Sequence, residues 1–124
     1  MQSPYVEYKD FKDLHMQFTI PFGSQNVQAF CWRSVRGLKR NTNFSSDYVG
    51  AYVAYPARRK TGLFGEIHLV RNRIGAGYVA HEIQHFLYDW LLTQPQNRNT
   101  NERLALLAGN ITREFWVRYY KVNK

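Results

Sequence analysis

The stretch Tyr78-Val79-Ala80-His81-Glu82-Ile83-Gln84-His85-Phe86-Leu87-Tyr88-Asp89-Trp90-Leu91 decides how the rest of the chain is read. Its apolar positions Tyr78, Val79, Ile83, Phe86, Leu87, Trp90 and Leu91 recur at three and four residues, which predicts an α-helix running to about residue 92. They wrap most of the circumference, so the helix is expected at the centre of a small domain. Within it, His81-Glu82-x-x-His85 puts two imidazoles about 40° apart in direction and about 6 Å apart in rise. Both can reach one zinc ion at about 2.0–2.1 Å. Glu82 is turned by about 100° from His81, which leaves it able to face a water on the metal and take its proton.

Working outward, Gly75-Ala76-Gly77 marks the passage into this helix from β-rich residues 63–70. Val49, Ala51, Val53 and Tyr55 alternate up to Pro56, so this segment and 63–70 are expected to pair as an antiparallel hairpin across the basic turn 56–62. Residues 41–47 are polar and loop-like. Leu14, Met16, Phe18 and Ile20 alternate with polar residues and predict a strand ended by Pro21 and Gly23. Over 25–39, Val27, Cys31, Val35 and Leu38 recur at three to four residues with Gly37 near the end, which predicts a helix. A loop over 93–100 leads to a last helix from about 101 to 120 on Leu104, Leu107, Ala108, Ile111 and Phe115. The fold expected is α+β: an antiparallel or mixed sheet of about three strands packed against the central helix and two others. Residues 1–124 are taken as one domain, without repeats or linkers.

A catalytic zinc takes three protein ligands and keeps one position open. No histidine follows His85, and the best third ligand is Glu102, brought beside His81 and His85 by an antiparallel return through the 93–100 loop. The same residue also fits a capping box, with Asn99 as N-cap and Glu102 at N3. Asp89, four residues after His85, can orient an imidazole or be an ordinary exposed helical carboxylate. His68 shares a strand face with Glu66 and can meet a substrate carbonyl or be a plain strand histidine. Tyr78, three residues before His81, can donate to an oxyanion or simply pack. Cys31 has no catalytic partner beside it and is expected to be a core thiol.

The strand 66–70, the helix carrying Ala80-His81-Glu82-x-x-His85, and Asn101-Glu102-x-x-Ala105 together resemble the zincin-type metallopeptidases, among them the small Glu-ligand kind that includes the ImmA/IrrE-type peptidases. The similarity covers roughly residues 62–109. It implies His81, His85 and Glu102 as ligands of one zinc per chain and Glu82 as general base. It further implies a substrate chain laid along the strand containing Ile67 to Leu69. The metzincin pattern does not fit, because Tyr88 stands where its Gly belongs and Leu91 where its third His belongs. SprT-type proteases use a late third His, which is absent. Leu106 also departs from the larger Glu-ligand peptidases, which often carry an acidic residue there.

The chain has 124 residues, 17 Lys and Arg against 9 Asp and Glu, and a net charge of +8. Eleven of the basic residues are Arg, clustered at Lys39-Arg40, Arg58-Arg59-Lys60 and Arg71/Arg73. The alternative to a zinc peptidase acting on a peptide or protein is therefore a non-catalytic basic domain that binds nucleic acid or an acidic protein, with zinc structural or absent. One cysteine excludes an internal disulfide framework. No stretch approaches the ~18 apolar residues of a membrane span, and the first residues lack a signal-peptide pattern, so a cytoplasmic location without membrane partners is expected.

Overall fold

The computed structural model describes residues 10–42, 50–56 and 61–122. Strands β1 (Leu14–Phe22) and β2 (Gln25–Trp32) form an antiparallel hairpin around Gly23-Ser24. Gly23 has φ 63°, the positive value that two-residue hairpin turns need at their first central position. Pro21 does not end β1. The strand lies at the sheet edge, where a missing N–H removes no ladder bond.

The helix expected over 25–39 is instead a strand as far as Trp32, and only helix α1 (Val35–Thr42) is helical. The reason is position in the sheet. Strand β2 sits between β1 and β4 (Leu63–Val70), antiparallel to the first and parallel to the second, and every residue from Val27 to Trp32 is buried. A strand covered on both faces loses the alternation that would announce it, and its apolar run then passes for a helix. Strand β3 (Gly50–Ala54) pairs antiparallel with β4, as its alternation requires. Among the described residues the sheet is mixed, four-stranded and ordered β1-β2-β4-β3.

Helices α2 (Ala76–Leu91) and α3 (Thr100–Val122) cover one face. Ile83, Phe86 and Leu87 of α2 and Leu107, Ile111 and Phe115 of α3 pack with Val27, Ala29, Cys31, Ile67 and Leu69. Helix α2 lies over β3 and β4, and α3 over β1, with the Phe18 and Phe115 rings 5.3 Å apart. The alternate residues Phe30, Trp32 and Val70 point to the other face and pack with Leu38 of α1. Against the expectation of all-round burial, α2 leaves His81, Gln84, His85 and Tyr88 exposed. A helix with the sheet beneath and one helix beside it keeps an open side. Residues 43–49 of the polar loop and 57–60 of the basic turn lie outside the described residues. No described helix is long and apolar enough to cross a membrane.

Cys31 is a buried free thiol, and burial pushes its pKa up to about 12. The thiolate is the reactive form. Iodoacetamide at about pH 8 is therefore expected to leave the native protein unmodified and to alkylate Cys31 only after denaturant is added, as mass spectrometry would show.

Candidate metal centre

Helix α2 sets the site. Four residues of helix carry His81 and His85 onto the open side, with ring centroids 4.9 Å apart and planes at 81°. Their Nε2 atoms converge to 3.3 Å. Two nitrogens on one tetrahedral zinc, each at about 2.0–2.1 Å, stand about 3.3–3.4 Å apart. The pair thus already has the separation that a shared ion imposes. A ligand atom of Glu82 completes a group in which all three lie within 4.8 Å of one another.

Glu82 is held between α2 and the sheet edge. It is 5% exposed, and burial pushes its carboxyl up to about 7. Strand β3 makes the space for it. A Cβ at Gly50 would lie 2.7 Å from Glu82 Oε2 and 3.1 Å from its Cδ, so only glycine leaves the carboxyl where it is. A cleft of about 420 Å³ opens over the group, walled by Tyr52 and Ala54 on β3 and by Tyr88, Asp89 and Leu92 at the far end of α2. Deep in this wall, the Tyr52 hydroxyl donates its one proton to Asp89 Oδ2 at 2.7 Å, with the Phe64 carbonyl oxygen 3.2 Å away. Tyr52 crosses β4 at Gly65, where a Cβ would lie 2.7 Å from the Tyr52 oxygen and 2.4 Å from the Val53 carbonyl oxygen.

No protein-family model, curated protein or solved structure matches this chain. The chemistry of the site therefore stands on its own residues.

Glu102, expected as third ligand, does not join the group. It is exposed in the first turn of α3. The return through the loop does bring α3 beside α2, but on the wrong flank. The guanidinium of the next residue, Arg103, lies 5.6 Å over the Trp90 ring, and Trp90 is about 180° around α2 from His81. The loop is organised by Thr100, whose hydroxyl donates to the Pro95 carbonyl at 2.7 Å and accepts from the Asn97 amide at 3.1 Å.

His68 does not reach the cleft either. It points to the opposite sheet face, fully buried, stacked on Phe30 at 5.0 Å and on Trp32 at 6.0 Å. The Trp32 indole N–H donates to His68 Nδ1 at 2.9 Å. Nε2 therefore carries the proton of a neutral imidazole and donates to Glu66 Oε1 at 2.7 Å. Tyr55 donates to the other Glu66 oxygen. Asp89 is in the cleft wall but buried and bonded to Tyr52, rather than an exposed helical carboxylate. Tyr78 is 42% exposed and lines a separate depression with Arg71 and Arg73.

Strand β4, expected to carry a substrate along Ile67 to Leu69, has β2 on one side and β3 on the other. The sheet edge beside the imidazoles is β3. The residues missed from sequence are thus Gly50 and Tyr52. The alternation gave β3 itself, but nothing local says which edge of the sheet the imidazoles face.

Proposed function

We propose that the protein is a zinc-dependent peptidase of zincin-like design, with one zinc ion per chain held by His81 and His85, a third ligand supplied from outside the His81–Glu82–His85 group, and Glu82 as general base. The single observation that supports this most is the 3.3 Å approach of the two Nε2 atoms at the floor of an open cleft, beside a buried carboxyl. A zinc ion bound there supplies a polarised substrate carbonyl and an acidified water. Glu82 takes the proton of the attacking water and passes it to the leaving amine nitrogen. Its burial favours the proton-bearing form, so it accepts a proton readily near neutral pH. Gly50 lets it sit between β3 and the imidazoles without a competing side chain. Peptide substrate runs along β3, the edge strand, rather than along β4.

The test is cleavage of a mixed peptide library, followed by mass spectrometry, with zinc and with a chelator. Discrete cleavage that needs zinc and stops with chelator is expected, whereas a library left intact by the zinc-loaded protein counts against the proposal. Gly50→Ala probes the base more finely. Its methyl pushes on the Glu82 carboxyl, so kcat is expected to fall about 10- to 100-fold while zinc affinity, from calorimetric titration, stays within about threefold.

A further inference from the structure

We propose that the cleft selects a peptide with a large apolar side chain on the residue just before the cleaved bond, seated on Tyr88 and Leu92; this rests on the zinc pair proposed above. Three and four residues beyond His85 on α2 come Tyr88 and Asp89, with Leu92 just past the end of the helix, and all three line the cleft that contains the imidazoles. Asp89 is buried and bonded to Tyr52. Tyr88 and Leu92 are 60% and 80% exposed. A single exposed leucine carries no meaning. Here two large apolar side chains stand about one helical turn apart, facing Ala54 and Tyr52 of β3 across the same cleft.

The direction of the peptide follows from β3. This strand begins at Gly50, against Glu82, and its next inward-facing residue, Tyr52, already reaches Asp89, one turn further along α2 than His85. It therefore runs away from the reactive group toward Leu92. A peptide added antiparallel to an edge strand makes the more stable pairing per residue. Laid antiparallel to β3, it enters over Leu92 and Tyr88 and reaches Glu82 afterwards. The side chain over the apolar wall thus belongs to the residue on the N-terminal side of the bond. Among the described residues, that wall presents no charged side chain apart from Asp89, already held by Tyr52.

The test uses N-acetyl hydroxamates of glycine, leucine, phenylalanine and aspartate, with acetohydroxamate as the bare chelating group, titrated calorimetrically into zinc-loaded protein. All share one metal-binding head, so differences report the side chain. The leucine and phenylalanine compounds are expected to bind about tenfold tighter than the glycine compound, and the aspartate compound no tighter than glycine. In the double variant Tyr88→Ser, Leu92→Ser, both substitutions being at exposed positions, this gain is expected to shrink to about twofold with acetohydroxamate unchanged. If acetohydroxamate binds but the apolar side chains add nothing, or their gain survives in the double variant, the apolar subsite is overturned while the metal pair stands. If the protein takes up no zinc, or zinc-loaded protein ignores acetohydroxamate, the metal centre falls and the subsite with it.

Discussion

The Glu82→Gln protein is expected to bind one zinc ion as tightly as the unaltered chain and to cleave its substrate on the order of 10³-fold more slowly. Glutamine fills the same space against Gly50 but cannot take a proton from water. Zinc titration beside single-turnover hydrolysis separates the two roles open to this side chain. Loss of activity with zinc retained makes Glu82 the base. Loss of both makes it a ligand, and the mechanism would then have to be redrawn. The metal-free protein offers a second reading of the same carboxyl. Burial raises its pKa from the ordinary 4.5 to about 7, so between those values the folded state keeps a proton that the unfolded chain has released. Glu82 thus subtracts stability as pH rises through that window, and Gln does not. The Tm advantage of Glu82→Gln over wild type, both metal-free, is expected to grow from about pH 5 to about pH 8.

Gly65→Ala is expected to cause the largest loss of stability of any single-methyl change in the sheet, about 3 kcal/mol, or roughly 10 °C in Tm. The new Cβ would meet the Val53 carbonyl oxygen at 2.4 Å and the Tyr52 ring at 2.9 Å. Backbone cannot swing aside as a side-chain end can, so β3 must shift or Tyr52 must leave Asp89. Either response also disturbs the cleft wall. Gly109→Ala is the control with the opposite sign. Gly109 is exposed within α3 with nothing within 4 Å of its missing Cβ, and alanine there is expected to stabilise by about 0.5–1 kcal/mol. Thermal melts of the two variants are sufficient. A Gly65→Ala protein as stable as wild type would show that Tyr52 does not cross β4 as described.

What was legible in the sequence was what is local. The α2 helix and its His81/His85 pair follow from spacing alone, and the β3–β4 pairing follows from two runs of strand-forming residues around a turn. Strand β2 was hidden because both of its faces are buried, which erases the alternation. Its one local sign was the Gly23-Ser24 pair, short enough to close a two-residue hairpin. Glu102 shows a different limit. The loop length puts α3 beside α2, but the flank is decided by α3 packing on β1 through Phe18 and Phe115, a contact between residues 97 positions apart in the chain. His68 shows a third: alternation placed it on the Glu66 face, and only the packing of α2 against Ile67 and Leu69 reveals that this face turns away from α2. Gly50 and Gly65 shape the site by what they lack, and sequence periodicity has no term for an absent side chain.

The central claim, that His81 and His85 share a metal ion, is tested most directly by anomalous diffraction at the zinc absorption edge from crystals grown with zinc. One peak per chain is expected, about 2.0–2.1 Å from both Nε2 atoms, in the cleft between α2 and β3 and away from Glu102. Crystals with no peak between the two imidazoles, or with zinc bound only elsewhere, would contradict it.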